Sequence, residues 1–353
     1  MITGDLKRRI KIRLKELVQD GGAPGFQLSL GLRDECLGVW SEGSVTDRTW
    51  FDLASLTKII STVSLTMLAV QQKKIPRLSE PLQSFFPFWT SDLKSKTIGD
   101  LLNHRAGLPA IFESLEAFPT RQEKVRHFLT QVDKDYKPIE VAYSDVGFMI
   151  LGILLEQVYG KRLRDLIKEI LVYPHLLSYG PISTSFEWMR IFLGGHSTAK
   201  ILSLEDRSIW LHGIAQDPRA EWLDGDAGHA GLFGSALGVE LWAERIFKAY
   251  HGKDTLLSDQ VVRNFIQFPN STERWINGFD RPTPPSQAGA LFSDTTIGHL
   301  GYTGCSFWMD IESGARVSLL SHRFSPKVDA EKLKSLRPAF HDWIWKQVFA
   351  ELR

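Results

Sequence analysis

Strand-like alternation is confined to the two ends of this chain, and helical periodicity fills the long stretch between them. Near the N-terminus, Gly25–Leu32 alternates in the manner of a strand, Arg33–Glu35 is turn-like, and Cys36–Trp40 can return as a hairpin partner. Strand character comes back only after about residue 290, where Ser306–Asp310 and Ala315–Leu320 flank the turn-like Glu312–Ser313–Gly314. Strands segregated from helices in this way predict an α+β fold and exclude alternating βαβ units. The two ends are expected to share one antiparallel sheet of five or more strands, flanked by helices. The middle of the chain is expected to be inserted as an all-helical lobe. The α/β lobe is therefore assigned to residues 1–60 and 285–353, and the helical lobe to residues 61–284, within a single domain spanning 1–353.

The helices have readable ends. The stretch from Met1 to Gly22 carries basic residues without a following apolar run, and reads as an amphipathic helix stopped at Gly21–Gly22. Ile59, Ile60, Val63, Met67, Leu68 and Val70 recur at helical spacing until Pro76. Further helices are predicted from Thr97, over Tyr143–Tyr159 with Gly160 beyond its end, over Leu237–Tyr250, and from about Asp329 onward. The longest apolar stretch, Val146–Leu155, is half of what a bilayer span requires. No membrane span is expected, and no secretory signal is read, so a cytoplasmic location is expected. Lys and Arg number 42 against 41 Asp and Glu, a net charge of +1 that favours neither nucleic acid nor an anionic surface. The two cysteines, Cys36 and Cys305, are too few for a disulfide framework and lack metal-binding spacing.

The first residues with chemical content are Ser55-Leu56-Thr57-Lys58. Residues three apart share one helix face, so the hydroxyl and the amine come within reach of each other. A serine hydroxyl needs a neighbour to take its proton, and a lysine can do so once burial and the positive end of a helix lower its pKa. The apolar entry Phe51-Asp52-Leu53-Ala54 sets the pair beside a core, where lysine is rarely placed.

In this setting Phe51–Lys58 resembles the first motif of the serine β-lactamase-related family, which includes class C β-lactamases, penicillin-binding proteins, D-Ala-D-Ala carboxypeptidases and esterase-like members. The second motif of that family is matched by Tyr143-Ser144-Asp145 and the third by His299-Leu300-Gly301, in the same order along the chain. Leu101-Leu102-Asn103-His104-Arg105-Ala106-Gly107-Leu108-Pro109 and Gly228-His229-Ala230-Gly231-Leu232-Phe233-Gly234 resemble supporting segments of the family, and the similarity runs over about residues 23–345. The resemblance implies a β-lactamase/transpeptidase-like fold and a serine hydrolase working through a covalent acyl-enzyme. Ser55 would be the nucleophile and Lys58 its base. Tyr143 would share the proton network, its phenol made more acidic by the adjacent amine. His299 would orient the substrate together with Asp145 and Gly301. The backbone N–H of Tyr302 would join that of Ser55 as an oxyanion donor. Asp145 replaces the commoner Asn and adds negative charge that tends to keep Lys58 protonated. The substrate is expected to be a small molecule or short peptide carrying an ester, amide or β-lactam bond, with ester or D-amino-acid peptide favoured. The alternative is a catalytically impaired binding protein for peptides or peptidoglycan fragments, supported by Asp145 and by Leu171–Leu177, where relatives have a Pro-Leu-Gly turn.

Several of these residues also have a plainer structural reading. Taken alone, Tyr143 reads as a packed aromatic and His299 as a satisfied interior histidine; motif order reverses both. The glycines of Gly228–Gly234 are not followed by Gly-Lys-Ser/Thr, so they are no phosphate loop. No Gly-x-Ser-x-Gly elbow and no His-Glu-x-x-His occur, so neither an α/β-hydrolase nor a metal site is expected, and no cofactor is expected. Cys305 reads as a small buried thiol, and Trp210, Trp222, Trp242, Trp343 and Trp345 as packing residues.

Overall fold

A computed structural model describes residues 2–170, 176–180, 197–198, 201–202, 210–211, 213–268, 273–324, 328–329 and 331–352. Seven strands form the main sheet, in the order Glu35–Gly43, Gly25–Leu32, Arg316–Ser321, Ser306–Asp310, Thr296–Leu300, Phe279–Asp280 and Trp275–Ile276. Every pairing in it is antiparallel. The two ends of the chain therefore do share one sheet, with Leu28 facing Leu319 on one side and Trp40 on the other. The sheet also takes in the hairpin at Trp275–Asp280, inside the stretch read from sequence as helical lobe. These strands are two residues long, too short for alternation to register.

Side chains alternate between two apolar layers. Leu28 and Leu30, Val317 and Leu319, and Trp308 enter one core with the helices at the two termini. Phe307, Met309 and Leu320 point to the other, with Trp242 and Ile246. Period-two alternation is what places one strand in both layers. The N-terminal helix, Gly4–Gln19, is capped by Thr3, whose Oγ1 accepts the N–H of Leu6, and buries Leu6, Ile10, Leu14 and Leu17. Each such burial contributes about 1.5–3 kcal/mol. The C-terminal helix Lys332–Ile344 covers the same layer through Leu333, Phe340 and Ile344.

The second layer leads into the middle segment, whose longest helices are Arg121–Lys134, Asp145–Tyr159 and Ala236–Tyr250. The middle segment is not purely helical. Leu177–Tyr179, Leu232–Gly234, Thr49–Asp52 and Ser197–Thr198 build a small second sheet. That sheet ties the strand before Ser55 to the loop following Gly228. Among the described residues no helix is long and apolar enough to cross a membrane.

Candidate active site

Ser55 follows the Thr49–Asp52 strand at a backbone corner held by a buried carboxylate. Asp52 Oδ1 accepts the N–H of Ala54 at 2.8 Å, and Oδ2 accepts the N–H of Gln216 at 2.7 Å. Burial pushes the Asp52 carboxyl up to about 6, against the pull of those two N–H groups. Ala54 takes a left-handed φ of 47°, uncommon for a residue with a side chain. The N–H groups of Leu56, Thr57 and Lys58 then bond to the carbonyls three residues back, at 3.0, 3.0 and 3.1 Å. The chain widens into a π-helix over Lys58–Val63 before settling into an α-helix at Ser64–Gln71. The continuous α-helix expected from the apolar spacing is thus replaced at its start by a tight turn and a π segment, a rare form that concentrates at functional sites. The serine and the lysine still meet: Lys58 Nζ lies 2.9 Å from Ser55 Oγ, and Ser55 is partly exposed.

Lys58 is fully buried, and beside the Tyr143 hydroxyl three further polar groups face its ammonium. Besides Ser55 Oγ these are the carbonyl of His229 at 3.1 Å and Asp145 Oδ1 at 2.7 Å. Burial is the largest influence and lowers the lysine's proton affinity, but Asp145 first and Tyr143 second together outweigh it and hold the group above its ordinary value, in the direction the charge of Asp145 suggests from sequence. The His229 carbonyl reaches Lys58 because the loop carrying it lies almost against the Asp145–Tyr159 helix. A Cβ on Gly228 would stand 2.1 Å from the Phe148 carbonyl, and one on Gly152 would stand 2.7 Å from the Gly228 N. The glycines of this loop therefore serve close approach of backbone to backbone. Thr62 Oγ1 fastens the loop by donating to the Gly228 carbonyl at 2.6 Å.

Asp145 is the first residue of its helix, and Tyr143 lies just outside it. Ser144 caps the helix, its Oγ accepting the N–H of Gly147 at 3.3 Å. The Tyr143 ring centre is 5.0 Å from Lys58 Nζ. Burial pushes the phenol up to about 12, beyond the opposing pull of Lys58, so the acidified phenol expected from sequence is not found. The desolvation of the phenolate outweighs its attraction to a lysine whose charge Asp145 already offsets.

From the other side comes the Thr296–Leu300 strand. His299 is buried, and its Nδ1 lies 2.7 Å from the Leu300 carbonyl. Only a protonated nitrogen can donate to that carbonyl, so Nδ1 carries the hydrogen. Burial first, then Lys58, hold this imidazole well below its ordinary range. Its ring centre is 6.0 Å from that of Tyr143. Gly301 packs on the serine turn, where a Cβ would meet the Leu53 carbonyl at 2.7 Å. Thr303 Oγ1 donates to the Asp52 carbonyl at 2.7 Å, so the residues on both sides of Tyr302 are tied to the segment before Ser55. The Tyr302 side chain is 54% exposed and stacks on Phe324.

Ser55, Lys58, Tyr143, Asp145, His299 and Gly301 are thus brought together from three remote segments. Sequence reasoning missed Asp52, His104 and Trp275. The first sits inside a quoted motif and the second in a supporting segment, but nothing in their spacing distinguishes them from packing residues. Cys305 is buried, with its Sγ 3.6 Å from the Asp52 carbonyl, and Trp242 is core, in accord with their plain readings. Residues 171–175 of the Leu171–Leu177 segment, and the Trp210 side chain, lie outside the described residues.

Residues 13–339 match the family model described as Beta-lactamase. The chain belongs to the Beta-lactamase family. This Beta-lactamase-family chain is 27% identical over 312 residues to the N-acetylmuramyl-L-alanine amidase of Bacillus subtilis, covering 81% of this chain and 70% of that protein. It is 27% identical over 346 residues to a putative D-alanyl-D-alanine carboxypeptidase of Escherichia coli, with coverages of 87% and 78%. In fold it is similar to EstCE1, a hydrolase with promiscuous acyltransferase activity, at a TM-score of 0.69 and 19% identity over 95% of this chain and 98% of that one.

Proposed function

We propose that this protein is a serine hydrolase that acts through a covalent acyl-enzyme on an ester, amide or peptide bond. The observation that carries the reading is the 2.9 Å contact between Lys58 Nζ and the partly exposed Ser55 Oγ. In the reacting form Lys58 is a neutral amine. Its two remaining N–H groups are held by the His229 carbonyl and Asp145, and its lone pair faces the Ser55 hydroxyl. Ser55 Oγ attacks the acyl carbon as its proton moves to Lys58 Nζ. Tyr143, which stays a phenol at neutral pH, relays a proton to the departing oxygen or nitrogen. Water then attacks the acyl-serine, the same groups take a proton from it and pass it to Ser55 Oγ as the Oγ–acyl bond breaks, and the free acid leaves. The backbone N–H groups of Ser55 and Tyr302 are the proposed oxyanion donors, and His299 and Asp145 the groups that orient the substrate.

The test is covalent labelling with a fluorophosphonate and with a fluorescent penicillin. Labelling of wild type that disappears in Ser55→Ala supports the enzyme. The rival reading, a binding protein that has lost turnover, is favoured by the Lys58–Asp145 ion pair. It predicts no labelling at any pH, with binding of peptidoglycan fragments retained. Turnover of p-nitrophenyl esters, D-amino-acid peptides and nitrocefin then ranks the substrate classes.

A further inference from the structure

We propose that His104 is the positioning residue of this site, holding Tyr143 and Asp145 in register against Ser55 and Lys58. The inference rests on the reading of Ser55 as nucleophile. His104 ends the short Ile98–Leu102 helix, whose start is fixed by a capping box between Thr97 and Asp100. Its backbone is left-handed, at φ 55°, where glycine or asparagine is the ordinary occupant of a helix end. A histidine kept in that conformation, with its side chain buried, points to a use for the imidazole.

The ring grips the Tyr143–Asp145 segment in two ways. It packs on Tyr143, with centroids 4.6 Å apart and planes tilted by 35°, and forms an edge-type pair with Trp275, centroids 4.7 Å apart. Its Nδ1 accepts the backbone N–H of Ser144 at 3.0 Å. Ser144 is the residue between the phenol and the carboxylate, so one imidazole fixes the ring of one neighbour and the backbone leading to the other. Accepting at Nδ1 leaves the hydrogen on Nε2, and that atom is buried with no partner among the described residues. Protonating Nδ1 would turn two N–H groups against each other, so the grip requires a neutral ring. Burial first, then Lys58, push the His104 imidazole down to about 3, which keeps it neutral over the working pH range. The hairpin that supplies Trp275 is tied to the neighbouring residue: Asn103 Oδ1 accepts the N–H of Asn277 at 2.8 Å. Asn103 and His104 thus join the helical segment and the sheet edge around Tyr143.

Two variants separate the two halves of the grip. Asparagine tolerates a left-handed backbone and can offer its Oδ1 where Nδ1 now stands. Phenylalanine keeps the ring and removes the acceptor. For His104→Phe, the rate of fluorophosphonate labelling at Ser55 is expected to fall by about 100-fold, the order of a misplaced reacting group. For His104→Asn it is expected to stay within about tenfold of wild type. The pH profile of labelling should be displaced in His104→Phe and restored in His104→Asn. A second readout needs no activity: the phenolate absorbance of Tyr143, taken as wild type minus Tyr143→Phe, should titrate at lower pH in His104→Phe and be unmoved in His104→Asn. Equal labelling, profile and phenol titration in all three proteins overturns the proposal. So does an equal loss in both variants that tracks their thermal stability. Should wild type fail to label, the hydrolase reading falls, and the phenol titration still decides the role of His104.

Discussion

Replacing Asp145 by Asn removes the carboxylate that faces Lys58 and should move the pH dependence of the site. Lys58 Nζ and Asp145 Oδ1 are 2.7 Å apart, with the lysine fully buried and the aspartate side chain 17% exposed. Burial favours the neutral amine, whereas Asp145 and, less strongly, Tyr143 favour the ammonium; in wild type these two together prevail. In Asp145→Asn the larger of the two opposing influences is gone, so the lysine releases its proton at lower pH. The rising limb of the labelling rate against pH therefore moves toward acid. Each unit of that movement raises the fraction of free amine at a fixed neutral pH about tenfold. Stability moves the other way. The folded pKa of Lys58 lies above its unfolded value, so the pair's contribution is fully present below about pH 10.4 and fades as pH climbs through the folded value. At neutral pH the variant lacks that contribution. Removing one partner of a buried pair costs about 3–5 kcal/mol. For a chain of this length that corresponds to about 4–7 °C in Tm, less whatever is recovered when the lysine drops its proton. The assay is fluorophosphonate labelling of Ser55 across pH 5–10, with calorimetry at pH 7. A limb that stays in place, or moves toward alkali, refutes the assignment of Asp145 as the group that holds the proton on Lys58.

Other substitutions test the frame around the site. Gly228→Ala places a methyl group 2.1 Å from the Phe148 carbonyl, so it should destabilise by about 1–3 kcal/mol and, by moving the His229 carbonyl off Lys58, slow labelling beyond the effect of stability. Urea melts and labelling rates on the same samples check this; wild-type labelling would show that the carbonyl is dispensable. Arg316→Ala strands Glu240, fully buried and paired to it at 2.6 Å, at an expected cost of about 3–5 kcal/mol, and a loss below about 1 kcal/mol in a urea melt would sink that account. Asp217 is held well below the carboxylate range: burial raises it, but His229 and the N–H of Ala220 prevail. Its stabilisation is present above about pH 4 and lost as pH falls further. Asp217→Asn should therefore flatten the acid limb of Tm against pH, and an unchanged limb would remove Asp217 from the explanation.

What the sequence determined by itself was layout and chemical type. Alternation at Gly25–Leu32, Ser306–Asp310 and Ala315–Leu320 was enough to place both ends in one antiparallel sheet, because successive side chains of a strand point to opposite faces with a period of two. Ser55, Lys58, Tyr143 and His299 were legible because hydroxyl, amine, phenol and imidazole stand in family order. Only the tertiary structure decided the proton affinities. Whether Lys58 is lowered by burial or raised by a carboxylate depends on the 2.7 Å to Asp145, a residue far away along the chain. Whether Tyr143 is acidified depends on how deeply it is desolvated. The two-residue strands at Trp275–Asp280, the left-handed turn at His104 and the backbone contact at Gly228 left no periodic trace. Each is set by how segments pack across the fold, and local pattern carries no record of a partner that arrives from elsewhere in the chain.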